Sequence, residues 1–283
     1  MNIRQAISTA TQALEVAGVP DPATDAGLLL SHLTGLSRLD AQLCGAQPLT
    51  YEQEQRFASL LLSRTLREPL QYLLGTQCFY GLDFVVDTRV LIPRQETETL
   101  CELGLAHLLA LAAPTALDLC TGSGAIAITL KHECPAAAVT AADLSADALT
   151  VAALNAKQNE ADIRLVQGDL FAPVAGKRFD LIVSNPPYVP SGDCATLQPE
   201  VEHEPRMALD GGADGLCFYR RIALAAHAHL SSRGLLAMEV GDHQAQAVAE
   251  LLSQTDHYRD IAITKDLYGA LRVVSAHALS TPT

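Results

Sequence analysis

The run Asn185-Pro186-Pro187-Tyr188, directly after Leu181-Ile182-Val183-Ser184, sets hydrogen-bond acceptors in a rigid frame. Asn185 Oδ1 and the Pro186 carbonyl can each accept one N–H of a planar NH₂ group. Neither proline has an N–H to give, and the two rings stiffen the turn. Such a site suits chemistry at an amide or aniline-like nitrogen. The lone pair there is delocalised, and in a peptide bond the same delocalisation appears as a rotation barrier of about 18–20 kcal/mol. Two acceptors would fix the nitrogen and favour its pyramidalisation as positive charge develops. Tyr188 offers a flat surface for a planar amide or base. Positioning of this kind contributes about 7–11 kcal/mol in well-oriented systems, with no general base needed beforehand. Taken alone, Asn-Pro is a common turn starter; its weight comes from what precedes it.

What precedes it is a ligand-binding pattern. Asp118-Leu119-Cys120-Thr121-Gly122-Ser123-Gly124-Ala125 ends one apolar run and opens a helical one. Its glycines let the backbone turn sharply and let a ligand approach without a Cβ clash. Asp143 ends the next apolar run, 21 residues after Gly122, where a carboxylate can accept from both hydroxyls of a ribose. Asp169, in Gly168-Asp169-Leu170-Phe171, follows the third and could accept from an exocyclic adenine amine. Three strand ends therefore converge on one nucleoside-sized crevice, the place where open α/β sheets bind ligands. The glycine pair alone is equally compatible with an ordinary strand-to-helix turn, and nicotinamide dinucleotides use nearly the same fingerprint. The full order of Gly-x-Gly, ribose acid and third-strand Asp is similar to that of class I S-adenosylmethionine-dependent methyltransferases.

The elements that must position these residues read clearly after Pro114. Strands are expected at 116–120, 138–142, 164–167, 181–184, 235–239, 261–265 and 271–275, with helices at 124–133, 146–158, 217–230 and 243–254. Short apolar strands alternating with helices imply a mostly parallel sheet covered on both faces. The link between the last two strands is too short for a parallel crossover, so that pair should be antiparallel. The fold class is thus α/β, a class I methyltransferase-like seven-stranded sheet. Ahead of it stands a small all-helical N-terminal domain, residues 1–75. There Ile3, Ala6, Ile7, Ala10, Ala13, Leu14 and Ala17 form an amphipathic stripe stopped by Gly18, Ser37 caps a short helix, and Thr50-Tyr51-Glu52-Gln53 fits a capping box. Residues 76–95 form a connector in which Phe84–Val86 and Val90–Ile92 read as a β-hairpin, and residues 96–283 form the catalytic domain. The long connection from Val189 to Leu216, carrying Glu202, Glu204, Arg206, Asp210, Gly211 and Gly212, reads as a lid over the substrate.

Composition narrows the function classes. Apolar residues make up 49% and charged residues 18% of the 283, ample for a packed core. A net charge of −13 and four lysines make a poor phosphate-neutralising surface, so no direct nucleic-acid partner is expected. The charge-free run 103–117 is too short to span a membrane, which needs about 20 residues, and the first residues lack the apolar core of a secretory signal. Seven scattered cysteines, none in a Cys-x-x-Cys pair, argue against a disulfide framework or zinc. The histidines show no metal-ligand spacing, and His203 and His243 read as surface or cap residues. No metal and no membrane are expected, and a reducing cytoplasm is the simplest location.

Beyond these motifs, the chain carries Arg67-Glu68-Pro69-Leu70-Gln71-Tyr72-Leu73-Leu74-Gly75, Phe79-Tyr80-Gly81-Leu82-Asp83-Phe84, Val90-Leu91-Ile92-Pro93-Arg94 with Glu96-Thr97-Glu98, and Glu204-Pro205-Arg206-Met207-Ala208-Leu209. With the Asp118–Gly124 loop and Asn185–Tyr188, nearly the whole chain resembles the HemK/PrmC family, protein-(glutamine-N5) methyltransferases of peptide chain release factors. The resemblance implies transfer of a methyl group from S-adenosylmethionine, leaving S-adenosylhomocysteine. It implies cofactor contacts from Cys120, Thr121, Gly122, Ser123, Gly124, Asp143, Leu170 and Asn185, beside the Asp169 read from the strand-end pattern. It also implies that Asn185, Pro186, Pro187 and Tyr188 hold the glutamine of a Gly-Gly-Gln tripeptide in a release factor. A monomer is the simplest expectation, though no motif sets the oligomeric state. Three positions depart from the family pattern: Gln95 replaces a usual proline, Cys120 stands where glycine is common, and Leu170 where some members carry an aromatic. An adenine-N6 methyltransferase explains Asn185–Tyr188 equally well, but the acidic charge and the lack of a basic stripe with interleaved aromatics weigh against it.

Overall fold

Side-chain caps and apolar stripes account for the N-terminal helices. The computed structural model describes residues 1–279. Helix α1 (Ile3–Val16) starts in a capping box between Asn2 and Gln5 and buries Ile3, Ala6, Ala10 and Leu14. Gly18, just past its end, has φ +72°, the left-handed geometry that glycine adopts without a Cβ penalty. There follow α2 (Pro22–Thr34), α3 (Arg38–Leu43), capped by Ser37, α4 (Tyr51–Thr65), opened by the expected Thr50–Gln53 capping box, and α5 (Leu70–Leu74). Leu29, Leu30, Phe57 and Leu70 complete their common core.

This helical unit comprises Met1–Thr76 and, from far along the chain, Gln198–His203. An ionic cluster ties the distant segment in. Arg64, almost fully buried, donates to Asp25 at 2.7 Å and to Glu200 at 2.9 Å, and Arg67 grips both Glu200 oxygens at 2.7 Å. A bidentate guanidinium–carboxylate pair is among the stronger polar contacts. Burial pushes the Glu200 carboxyl up, but the hydrogen bonds from Arg67 and Arg64 outweigh it and hold the pKa at about 2.

The second unit comprises Gln77–Leu197 and the chain from Glu204 onward. A two-stranded ribbon leads into it, β1 (Thr76–Phe79) and β2 (Leu82–Val85). The ribbon therefore lies earlier than the hairpin expected at 84–86 and 90–92. Tyr80 and Gly81, at φ +51° and +76°, supply the two left-handed residues of a tight I′-type hairpin turn. Ile92, by contrast, gives its N–H to the Glu204 carboxylate at 3.0 Å. Val86, Val90 and Ile92 are still buried, but as non-strand chain.

The main sheet follows the expected plan. After α6 (Glu98–Leu108) come β3 (Thr115–Leu119), α7 (Ala125–Glu133), β4 (Ala138–Asp143), α8 (Ala146–Gln158), β5 (Arg164–Gln167) and β6 (Phe179–Ser184). Then follow α9 (Cys217–His229), β7 (Leu230–Glu239), α10 (Ala245–Ser253), β8 (Tyr258–Lys265) and β9 (Leu271–Ala278). The seven strands lie in the order β5-β4-β3-β6-β7-β9-β8. All pairs are parallel except those made by β9, which runs antiparallel between β7 and β8. The sheet winds out from β3 in both directions, which puts the topological switch between β3 and β6, where ligands of open α/β sheets bind. Period-two alternation splits β3 between two cores: Leu117 and Leu119 face a cluster with Tyr219, Ile222 and Val248 from α9 and α10. Ala116 faces the other, with Leu100, Leu105, Ile126 and Ile128 from α6 and α7.

The Glu200 cluster gives a pH-dependent expectation. Glu200→Gln should lower the unfolding free energy at pH 7 by about 1.5–3 kcal/mol, the range for hydrogen bonds to charged groups. A carboxylate with a depressed native pKa stabilises fully above its ordinary range and loses that effect as pH falls toward the native value. The wild-type advantage should therefore vanish between pH 4.5 and about 2. Urea denaturation of both proteins across that range checks it.

Candidate active site

Parallel register brings the carboxyl ends of the central strands level. Leu119 of β3 lies beside Ala142 of β4 on one side and Ser184 of β6 on the other, and Asp143 beside Gln167 of β5. Ser184 Oγ donates to the Leu119 carbonyl at 2.9 Å, and Thr121 N–H to that of Ala142 at 3.1 Å. The loop after β3 and the motif after β6 are thereby fixed to one edge.

Cys120, Gly122 and Gly124 alternate along that loop at φ +60°, +54° and +83°. Cys120 thus takes the left-handed conformation with its Cβ in place, at a cost of about 1–2 kcal/mol. The two glycines differ. A Cβ on Gly122 would have no heavy atom within 4 Å, whereas one on Gly124 would lie 3.0 Å from Ile128 Cδ1 and 3.2 Å from Ala152 Cβ. Gly122 keeps a face open to a cavity, and Gly124 allows close helix packing. Asn155, fully buried on α8, braces the loop from behind: it donates to the Ser123 carbonyl at 2.9 Å and pairs with both backbone groups of Val85.

The cavity beside Gly122 is lined by Cys120, Gly122, Asp143, Asp169, Leu170, Asn185 and Pro187 of the residues expected from sequence. Asp143 accepts from Gly122 N–H at 2.8 Å and Ser145 N–H at 2.9 Å. Burial raises its carboxyl above the usual range, and the backbone donors counter that. Leu170, at φ +47°, places a second strained residue on the wall. Asp169 is engaged: its Oδ2 accepts from Arg221 at 2.6 Å. Thr121, Ser123, Gly124, Pro186 and Tyr188 do not line the cavity. Thr121 donates to Asp118 at 2.6 Å. Tyr188 turns its ring toward Gly241, where a Cβ would come within 2.8 Å of it, and its carbonyl accepts from Gln244. Burial raises its phenol to about 12, so it remains a neutral packing group.

Other residues enter that were not read as site residues. Arg89, Val90 and Leu91 close the cavity from the connector, Pro205, Met207 and Ala208 from the long connection, and Phe218 from α9. The expected lid is firmly held. Glu204, 5% exposed, ion-pairs with Arg94 and accepts from Ile92. Val189 and Asp210 form a parallel bridge, and Gly211 sits so close to Pro187 and Tyr188 that a Cβ would come within 2.8 Å of their backbone. Two buried carboxyls were also missed. Desolvation raises Asp118 to about 7 despite the hydrogen bond from Thr121, and Glu239 to about 7 likewise. The available signal was an acid at the end of an apolar strand, as in Leu235-Leu236-Ala237-Met238-Glu239.

Residues 98–203 match the Methyltransferase small domain family, and residues 5–75 match the PrmC N-terminal domain family. A release factor glutamine methyltransferase of Geobacter sulfurreducens is 43% identical over 273 residues, 96% of this chain and 95% of the relative. The chain belongs to the release factor glutamine methyltransferase family. A methyltransferase from Pyrococcus furiosus superposes with a TM-score of 0.53 at 18% identity, covering 81% of this chain and 98% of that one. The T. Thermophilus 16S rRNA N2 G1207 methyltransferase, solved with AdoMet and guanosine, gives 0.50 at 15% identity, over 72% of this chain and 49% of that one. Both show that this family shares the methyltransferase fold. Among the described residues no group of His, Cys, Asp or Glu is placed to hold a metal ion, and no helix is long and apolar enough to cross a membrane.

The contrast between the glycines is testable by denaturation. Gly124→Ala combines a left-handed backbone, at about 1–2 kcal/mol, with overpacking at about 1–3 kcal/mol. Gly122→Ala should cost only the backbone part. Equal losses would mean that Ile128 and Ala152 yield freely.

Proposed function

We propose that this chain transfers the methyl group of S-adenosylmethionine to the side-chain amide nitrogen, N5, of the glutamine in the Gly-Gly-Gln motif of a peptide chain release factor. The observation that carries this reading is likeness to a release factor glutamine methyltransferase across both the helical and the catalytic unit. The site is compatible with it.

The residues fit the cofactor. Gly122 leaves bare backbone beside the cavity, and Asp143 on the facing strand end has carboxylate lone pairs left for ribose hydroxyls beyond its backbone donors. With Asp169 Oδ2 held by Arg221, an adenine amine would meet the other carboxylate oxygen. S-adenosylmethionine, when bound, supplies an electrophilic methyl on sulfur. The chain's part is to place the acceptor. Asn185 Oδ1, on the cavity wall, takes one N–H of the glutamine amide, and the Pro186 carbonyl, next along the turn but outside the lining of the cavity, takes the other, turning the lone pair out of conjugation and toward the methyl. Pro187 and the wall from Pro205 to Ala208 keep water from competing. The reacted nitrogen then loses a proton, which needs no strong base once positive charge has formed.

The helical unit carries no catalytic group, and we assign it to recognition of the release factor's body. A Gly-Gly-Gln loop alone is far smaller than the 1,200–2,000 Å² of a specific interface. Leu62 and Leu66, one turn apart at the end of α4, are 62% and 68% exposed.

Three measurements test these assignments. Asp143→Ala should weaken S-adenosylmethionine binding by about 1.5–3 kcal/mol in calorimetric titration; unchanged affinity removes Asp143 from the cofactor site. Asn185→Ala should abolish methyl incorporation into release factor without loss of fold, and Asn185→Asp should retain part of it. Leu62→Glu with Leu66→Glu should raise KM for the intact release factor but leave a Gly-Gly-Gln peptide unaffected. Label entering adenine in nucleic acid rather than protein would replace the substrate assignment altogether.

A further inference from the structure

A buried carboxylate stands directly behind the amide that is to hold the substrate. Parallel pairing sets Ser184 opposite Met238, so the next residues along β6 and β7, Asn185 and Glu239, emerge side by side. Glu239 is 1% exposed. Hydrogen bonds from Thr97 and Asn185 reach its carboxylate, while its Oε2 has no partner at all. Thr97, 4% exposed, completes a triangle by accepting from Asn185 Nδ2 at 3.3 Å. An ionisable group placed this deep is costly unless satisfied, and burial accordingly pushes Glu239 up to about 7.

Its chemistry fits a different task. A side-chain amide has two ends of nearly equal shape, an acceptor and a donor. Which end faces the cavity is decided by what lies behind it. Above about pH 7 Glu239 is a carboxylate, which only accepts, so it draws the NH₂ end of Asn185 and repels the oxygen. Thr97 Oγ takes the second N–H and can pass its own proton toward Glu239. With both N–H groups so engaged, Oδ1 is the end left for the cavity that Asn185 lines.

We propose that Glu239 is a positioning residue: together with Thr97 it locks the Asn185 amide so that Oδ1, and not NH₂, meets the reacting nitrogen. The inference rests on Asn185 being the amide clamp of the proposed reaction. A flipped Asn185 would point donors at a donor and could not hold the substrate nitrogen.

The test compares Glu239→Gln, Glu239→Ala and Thr97→Val with wild type, using radiolabelled methyl incorporation into purified release factor. A glutamine is isosteric but can itself flip, so it only partly restores the lock. Glu239→Gln should lower kcat about 10- to 100-fold, the scale of losing orientation at a reacting centre, with Glu239→Ala lower still. KM for release factor and calorimetric affinity for S-adenosylmethionine should stay within about twofold, because the factor's body supplies most of its contact area and Asp143 and the Gly122 backbone hold the cofactor. Thr97→Val should lower kcat in the same sense, and in a Glu239→Gln background it should add little, since both act through one amide. Thr97→Ser should behave as wild type. Wild-type kcat in Glu239→Gln, or equal falls in kcat and cofactor affinity, overturns the positioning role. Wild type that labels no glutamine overturns the methyl-transfer reading and this inference with it, so the two failures are distinct.

Discussion

The level ending of β3, β4 and β6 is the constraint on which the catalytic unit depends. Because parallel pairing sets Leu119 against Ala142 and Ser184, the loop after β3 must turn immediately, and it turns through three left-handed residues. The turn delivers Gly122 N–H to Asp143 and Thr121 N–H to the Ala142 carbonyl. A one-residue slip of β3 would send Leu117 and Leu119 to the opposite core and carry Asp118 and Thr121 away from their contacts. The two cores on either side of the sheet enforce the register, and the site inherits its accuracy from them.

Much of this was legible in the chain because several local signals agree. Apolar runs of strand length alternate with helix-length amphipathic segments after Pro114, and glycine, Asp143 and Asp169 mark successive strand ends. Periodicity failed in the connector. Phe84-Val85-Val86 and Val90-Leu91-Ile92 look like paired strands, yet the turn chemistry lies at Tyr80-Gly81, and the second run spends its backbone on Glu204, a residue 112 positions away. Glu239 was equally hidden, since a lone acid at a strand end gives no hint that its neighbour across the ladder is Asn185. Tyr188 reads from sequence as a flat surface for a planar amide or base; in the structure its ring lies close against Gly241, a proximity no sequence pattern announces.

The buried acids divide by what surrounds them. Glu200 and Glu204 meet guanidinium groups, and their role is to hold chain segments in place. Asp118 and Glu239 take their hydrogen bonds from hydroxyls and amides, with Arg272 acting on Glu239 only through its charge, and each has one oxygen lacking a partner. The second pair lies at or next to the carboxyl ends of β3 and β7, buried behind the cavity wall rather than on it.

The membership of Gln198–His203 in the helical unit has a consequence for the order of synthesis. Helices α1 to α5 emerge from a ribosome first, carrying Arg64 and Arg67, which in the folded chain share Glu200. Their shared carboxylate follows only after roughly 120 further residues, about 6–25 s later at ordinary elongation rates. During that interval Arg67 lacks its counter-ion and Arg64 has only Asp25, so the nascent helical unit holds together through that pair and its apolar core. The last ion pairs of the first domain to be made thus close only after half of the second has been translated.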